Sequence, residues 1–174
     1  RATDGLYTHA VLFCDQVPEA VLTIAYGWEL FDKYGGSRLL KAKIQAQIAA
    51  LQTQGAAITM GRLSRLEMHQ ALHRAGVYAY WCTGGEQFGL TALKAQLAGC
   101  VPVVKPWGAL HETVQQFKED DADNFVTMIA DMLGADLPED LQGPVYMSEP
   151  RTFAEQFDWD HIVDRWETLW STCD

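Results

Sequence analysis

One carboxylate and several glycines separate two apolar segments in the middle of the chain. The apolar run 77–82 leads into a glycine-containing loop around Glu86, leucines recur at helical spacing from Leu90, and a second apolar run covers 101–104. This order predicts a strand, a loop, a helix and a second, parallel strand. Because the first N–H groups of a helix are unpaired and lie at its positive end, the loop is a candidate site for an anion such as a diphosphate.

The candidate binding residues of this loop follow one another along the chain. Gly84 and Gly85 allow a sharp turn, and Glu86 is the only carboxylate of the segment 77–104. The predicted start of the helix and its surroundings complete the set: Thr83, Gln87, Phe88, Gly89, Leu90 and Thr91. The alternative is an ordinary connection between a strand and a helix, in which Glu86 only stabilises the N-terminus of the helix.

Alternating strands and helices must position this loop. We predict strands at 21–26, 57–60, 77–82 and 101–104, and an irregular segment at 134–150. The predicted helices are 5–16, 38–54 after the N-cap Ser37, 65–75, 89–98, about 109–115, 124–133 with Asp123 as a cap, 151–157 and 159–172. The order predicts one α/β domain over 1–174, with a doubly wound, Rossmann-like parallel sheet and C-terminal helices in 151–174.

Apolar spacing also predicts which faces are buried. The strands at 77–82 and 101–104 should be neighbours, and helix 89–98 should pack on them through Leu90, Leu93 and Leu97. The last helix carries an apolar stripe that is expected in the core, with contact to a further domain as the alternative; its residues are Trp159, Ile162, Trp166, Leu169 and Trp170.

Composition and charge exclude some classes of function. The net charge is −10, and residues 112–174 carry 3 Lys and Arg against 16 Asp and Glu, whereas residues 1–111 carry 10 against 7. Such an acidic chain is a poor ligand for nucleic acid or an anionic membrane. No apolar run reaches the length of a membrane span, and no signal-peptide pattern is present. The four cysteines have no C-x-x-C spacing, which predicts free thiols and a cytoplasmic location.

Metal ligation is not expected. The triplets 121–123 and 158–160 have the Asp-x-Asp form, but each precedes a predicted helix, where solvated or capping carboxylates are the simpler interpretation. No histidine or cysteine cluster has metal-ligand spacing.

The central segment resembles a known family. The residues that carry the resemblance are Glu86, Phe88, Gly89, Ala95, Gly99, Pro102, Val103 and Val104, followed by Gly108 and Glu112. Upstream, 58–63, with Gly61 and Arg62, looks like the end of the third strand of the same domain. The pattern is similar to the C-terminal, donor-binding domain of retaining, group-one (family four) nucleotide-sugar glycosyltransferases of the B fold, and it extends over essentially the whole chain.

The resemblance implies a function and a division of roles. The domain would bind a nucleoside diphosphate-sugar for retaining transfer to an acceptor, with no metal and no other cofactor. Glu86 would approach the hydroxyls of the sugar and the developing charge near its anomeric carbon. Gly61 would belong to the donor site, and Arg62 after it could line the base pocket. Arg62 could equally be a surface residue. The first strand and an N-terminal, acceptor-binding domain would be missing from this sequence, so that the fragment alone would transfer nothing.

Two departures from the family pattern define the alternatives. Lys94 stands eight positions after Glu86, where the family has a second glutamate that accepts hydrogen bonds from the ribose, and an ammonium group has no acceptor. Lys94 could contact a phosphate or a ring oxygen, or remain a solvated helix residue. Asp4 stands where the family has a phosphate-binding lysine, near Arg1. The alternative function is therefore a non-catalytic module that has lost donor binding and serves in protein interaction. No G-x-G-x-x-G follows a strand, which disfavours a dinucleotide site.

Overall fold

A computed structural model gives the structure of the protein and describes residues 20–25, 28–33, 36–81, 86–114, 117–133 and 144–171. Within these ranges the strands are β1 (Leu22–Ile24), β2 (Ala57–Thr59), β3 (Val77–Tyr80) and β4 (Val101–Val104). The helices are α1 (Glu29–Lys33), α2 (Arg38–Thr53), α3 (Arg65–Arg74), α4 (Leu90–Leu97), α5 (Leu110–Thr113), α6 (Ala122–Leu133), α7 (Pro144–Glu155) and α8 (Trp159–Ser171).

The four described strands form two parallel pairs. β1 pairs with β2, and β3 pairs with β4 in the register Val77 to Val101 and Tyr80 to Val104. The predicted neighbourhood of the strands at 77–82 and 101–104 is therefore confirmed, as is the α/β class. A single doubly wound sheet remains a prediction, because the described strands make two sheets of two strands each.

Helices cover both faces of the β3–β4 pair. On one face, Val77, Ala79 and Val103 pack with Phe125 of α6. On the other face, Tyr78, Tyr80 and Val104 pack with Ala92 of α4 and Leu110 of α5. The first of these clusters also contains Leu22 of β1, Ala57 of β2 and Leu51 of α2, so the two strand pairs share one hydrophobic core. Burial on both faces explains why β3 and β4 are apolar throughout.

Side-chain caps set the starts of two helices, the first of them as the sequence predicts. The hydroxyl of Ser37 accepts a hydrogen bond from the Leu40 N–H at the start of α2, whose stripe Ile44, Ile48 and Leu51 is buried. At α3, Ser64 and Glu67 form a reciprocal capping box.

The buried face of α4 differs from the prediction. Leu93 is buried, but Leu90 and Leu97 are 60% and 39% exposed. The helix instead buries Ala92, Ala95 and Gln96, and the Gln96 side-chain amide donates to the carbonyls of Ala92 and Thr113. The small side chains of Ala92 and Ala95 let the helix approach its neighbours closely, so two of its three leucines lie off the contact face.

The C-terminal third contains further corrections. Residues 144–150 were expected to be irregular, yet they belong to α7, which begins at Pro144 and contains the buried Pro150. Proline is tolerated at a helix start, where its missing N–H is not needed. The cap of α6 is Asp121 rather than Asp123, because its Oδ1 accepts from the N–H groups of Asp123 and Asn124.

The apolar stripe of α8 does not lie in a core. Trp159, Trp166, Leu169 and Trp170 are exposed, Trp170 at 66%, and Ile162 is half-buried. The periodicity correctly predicted an amphipathic helix, but periodicity does not say what covers its apolar face. The short helix α1 lies in a segment predicted as a loop, and the predicted helix 5–16 lies outside the described residues.

Candidate functional site

The carboxylate of Glu86 caps the N-terminus of α4. Its Oε1 accepts hydrogen bonds from the N–H of Gly89 at 3.0 Å and of Phe88 at 3.3 Å. Its Oε2 accepts from the hydroxyl of Tyr80, the last residue of β3, at 3.3 Å. Gly89, the N-cap residue, has no side chain to do this, so Glu86 supplies the acceptor that the helix start requires.

Two glycines in left-handed backbone conformations bring the neighbouring loops together at Glu86. A Cβ on Gly89, whose φ is +76°, would lie 2.8 Å from a methyl carbon of Leu110 and 3.0 Å from the Thr113 hydroxyl. A Cβ on Gly108, at φ +57°, would overlap the backbone carbonyl of Glu86. That carbonyl accepts a hydrogen bond from the Ala109 N–H at 3.0 Å. The loop after β3 and the loop after β4 are therefore locked against each other, and only glycine fits at both positions.

Hydrogen bonding stabilises the ionised form of Glu86. The N–H of Gly89 makes the largest contribution to a lowered pKa of this carboxyl group, and the N–H of Phe88 and the hydroxyl of Tyr80 act in the same direction. Partial burial opposes them. The carboxylate therefore remains charged at neutral pH and can accept hydrogen bonds from hydroxyl groups.

The structure brings only some of the other predicted loop residues to this site. Phe88 meets Phe157 edge to face at 6.2 Å between ring centroids, which ties the loop to the segment after α7. Gln87, Leu90 and Thr91 are exposed. Thr83, Gly84 and Gly85 lie outside the described residues.

Lys94 lies on the exposed side of α4. In the described part of the chain its side chain makes no ion pair or hydrogen bond. The structure therefore neither brings Lys94 to the Glu86 carboxylate nor gives it a structural partner.

Gly61 and Arg62 lie at a different place, after β2. Gly61 has φ +65° and lines a cavity of about 360 Å³ together with Ile24, Trp28, Ile48 and three polar side chains, Gln45, Gln52 and Thr59. Arg62 is exposed and does not line this cavity. Sequence reasoning missed Trp28 and the glutamines. The available signal was an aromatic residue shortly after a predicted strand.

A cation at the carboxyl end of β4 was also missed. Lys105 follows β4, and its Nζ lies 4.5 Å from the centroid of the Trp81 ring, directly after β3. The signal in the sequence was a lysine at the end of a fully apolar strand.

The described residues contain no group of three or more His, Cys, Asp or Glu placed to hold a metal ion. Of the Asp-x-Asp triplets, Asp121 caps α6, and Asp158 accepts from the Trp159 N–H at the start of α8. Cys100 is a buried free thiol, and burial raises its pKa to about 11; Cys14, Cys82 and Cys173 lie outside the described residues. None of the described helices is both long and apolar enough to cross a membrane.

Comparisons with known proteins identify a fold. No protein-family model and no curated protein matches the chain. Among solved structures, it is similar to a mutant of S. aureus TarM in complex with fondaparinux, α-GlcNAc-glycerol and UDP, with a TM-score of 0.62 at 16% identity. The similarity covers 95% of this chain and 32% of that one, so this chain spans about a third of the neighbour's length. TarM is a GT-B glycosyltransferase, and at this identity the likeness shows a glycosyltransferase-like α/β fold.

Proposed function

We propose that the chain is the donor-binding domain of a retaining, family-four glycosyltransferase and binds a nucleoside diphosphate-sugar at the carboxyl ends of its strands. The observation that carries the proposal is the position of Glu86, a charged carboxylate fixed at the start of α4 between two interlocked loops. The fold likeness to a protein solved with UDP supports the same ligand class. Nothing besides the donor, neither a metal nor another cofactor, is needed in this proposal.

Donor binding would rearrange the contacts of Glu86. Without a donor, its carboxylate occupies the N–H groups of Phe88 and Gly89. A diphosphate carries more negative charge than a carboxylate and is favoured at the same helix end. We expect the diphosphate to take over these N–H groups, at Phe88, Gly89 and Leu90, while Glu86 turns to the hydroxyls of the transferred sugar. There it would stabilise the positive charge that develops as the bond to the diphosphate breaks.

The sheet of this domain would be completed by one more strand. The Gly76 and Tyr80 carbonyls accept from Val101 and Lys105, so in a parallel ladder the N–H groups of Val77 and Ala79 point away from β4. In the same way, the N–H of Thr23 in β1 points away from β2. Since both pairs share one core, a fifth parallel strand between β1 and β3 would join them into one doubly wound sheet. An acceptor-binding domain would complete the enzyme, which we expect in the cytoplasm.

The second candidate is a non-catalytic interaction module. Two observations favour it: Lys94 is a solvated residue, and the N–H groups meant for the diphosphate already have an internal acceptor. Substitution of Lys94 distinguishes the two functions, as does direct binding of donors.

The test is titration calorimetry of the full native polypeptide with uridine, guanosine and adenosine diphosphate-sugars and with the bare diphosphates. Glu86→Gln should weaken binding of the sugar nucleotide, because its hydroxyls lose a charged acceptor. Binding of the bare diphosphate should be unchanged or tighter, because the carboxylate no longer competes for the helix N–H groups. Glu167→Gln, on an exposed glutamate of α8, is the control and should change neither.

Lys94→Glu tests the departure from the family. A restored carboxylate that accepts from the ribose should tighten binding by about 1–3 kcal/mol. If neither the wild type nor this variant binds any donor at millimolar concentration, the donor-site proposal is wrong and the interaction module takes its place.

A further inference from the structure

The backbone of the sheet fixes the position of Lys105. Its N–H donates to the carbonyl of Tyr80 at 3.0 Å, which extends the ladder between β3 and β4 by one step. Side chains alternate along a strand, so Lys105 projects from the same face as Val101 and Val103. On β3 that face carries Val77, Ala79 and then Trp81. Lys105 is therefore a half-buried residue at the last step of a sheet rather than a lysine of a surface loop.

An aromatic platform holds the ammonium group in place. The Nζ of Lys105 lies 4.5 Å from the centroid of the Trp81 ring. Trp81 is itself fixed by the buried Phe125, whose ring meets it nearly edge to face at 4.9 Å. A cation above an aromatic face is attracted by the ring, so this contact restricts where the charge can lie.

Lys105 forms no ion pair with an Asp or Glu of the described residues. Lys41 provides the contrast: its Nζ lies 5.4 Å from the Trp28 ring centroid, but it also forms an ion pair with Asp32 at 2.7 Å. Among the described residues, Lys41 makes this type of contact with an ion-pair partner and Lys105 makes it without one.

Glu86 and Lys105, the two charged groups at the carboxyl ends of β3 and β4, lie on opposite faces of the strand pair. Glu86 bonds to Tyr80, which belongs to the face covered by α4 and α5, whereas Lys105 and Trp81 belong to the face covered by α6. A ligand across the carboxyl ends of β3 and β4 would meet a carboxylate on one side and an ammonium group on the other. A sugar diphosphate has the complementary pattern, with hydroxyl donors at one end and anionic oxygens next to them.

We propose that Lys105, held on Trp81, is the cation that neutralises the diphosphate of the donor; this rests on the proposed function. The diphosphate would span the ends of β3 and β4: oxygens on the α4 side would accept from the N–H groups of Phe88 and Gly89, and Lys105 would bind oxygens on the α6 side and stabilise the leaving diphosphate. Trp81 would act as a positioning residue.

The experiment measures binding of UDP and of uridine to the full native polypeptide at two ionic strengths. Lys105→Met should lower the UDP affinity roughly tenfold or more, because it removes a hydrogen bond to a charged group, and should leave uridine binding unchanged. The salt dependence of UDP binding should flatten as well. Lys105→Arg should retain most of the affinity. Trp81→Leu should give a smaller loss, confined to UDP.

Lys41→Met is the matched control, since it removes a lysine that also rests on a tryptophan but is neutralised by Asp32. It should not change UDP affinity. If Lys105→Met fails to fold, Lys105→Gln and Lys105→Arg give the same comparison of a neutral and a charged side chain. If the wild type binds UDP and every neutral variant binds it equally well, the Lys105 assignment is overturned while the donor site stands. If the wild type binds neither UDP nor any sugar nucleotide, the proposed function fails and this assignment fails with it.

Discussion

At the scale of single residues, Glu86 joins local stability to the candidate chemistry. Its carboxylate satisfies two N–H groups at the start of α4 and accepts from a tyrosine hydroxyl of the preceding strand. An uncapped helix start leaves unpaired donors, so the same acceptor that a sugar would need also stabilises the empty protein. In the proposed donor complex, this carboxylate would therefore be exchanged between two sets of donors.

The pH dependence of stability should report this cap. The pKa of Glu86 is lowered in the folded protein, mainly by the Gly89 N–H. A carboxyl group with a lowered folded pKa contributes stability above its unfolded pKa, and the contribution is lost as the pH falls through the folded value. Urea denaturation should therefore give a larger difference between the wild type and Glu86→Gln at about pH 7 than at about pH 3. An equal difference at both pH values would contradict the assigned cap.

Gly108 should be more sensitive to substitution than other glycines with positive φ. Gly108→Ala adds the cost of a left-handed alanine and an overlap with the Glu86 carbonyl. Gly55→Ala is the control, because Gly55 has φ +74° and open space around its would-be Cβ. Gly108→Ala should lower the free energy of unfolding by about 1–3 kcal/mol more than Gly55→Ala, as measured by urea denaturation. Equal losses would show that the two loops are not locked together.

At the scale of elements, sequence periodicity predicted where helices lie better than which faces they bury. In α2 the apolar residues at helical spacing, Leu40, Ile44, Ile48 and Leu51, match the inner face: the last three are buried, and Leu40 packs partly buried against Ile44 and Ile48. In α4 the same reasoning predicted a contact face through Leu90, Leu93 and Leu97. Only Leu93 is buried, and Ala92, Ala95 and Gln96 complete the contact face. In α8 a strongly amphipathic pattern predicted burial that the described structure does not provide. A pattern in one helix contains no information about the element that faces it.

Two leucines on α4 can test which face of this helix is buried. Leu93 is 5% exposed and Leu97 is 39% exposed, and the substitution Leu→Ala is chemically identical at both positions. Leu93→Ala should lower the free energy of unfolding by about 2–5 kcal/mol, because it leaves a cavity. Leu97→Ala should cost about 1 kcal/mol or less. The comparison requires only denaturant unfolding of the two variants, and similar losses would mean that α4 packs through the leucine stripe after all.

At the scale of the whole molecule, the candidate site was only partly predictable. Glu86 and the glycines could be found because they are adjacent along the chain. The contact between Lys105 and Trp81 could not, because it depends on the register of β3 against β4, which places the ends of the two strands side by side. The cavity beside Gly61 likewise depends on how α2 packs against β1 and β2. Residues that are distant in sequence meet only through tertiary pairing, which a single sequence does not specify.

Hydrogen exchange can test whether the two strand pairs are halves of one sheet. In the register observed, the N–H groups of Tyr78 and Tyr80 point to β4, whereas those of Val77 and Ala79 point to the proposed fifth strand. In the 174-residue chain, the Val77 and Ala79 amides should exchange faster than their tyrosine neighbours. Extending the chain before Arg1 by the proposed apolar strand should slow their exchange and leave Tyr78 and Tyr80 nearly unchanged.

This comparison contains its own control, because protected and unprotected amides alternate along one strand. General stabilisation by the extension would slow all four amides together, whereas strand insertion slows only the alternate pair. The amide of Thr23 in β1 should respond with Val77 and Ala79, because a single inserted strand must pair with both edges at once. If Ala79 is already as protected as Tyr80 in the 174-residue chain, or if Thr23 does not respond, the proposed fifth strand does not lie between β1 and β3.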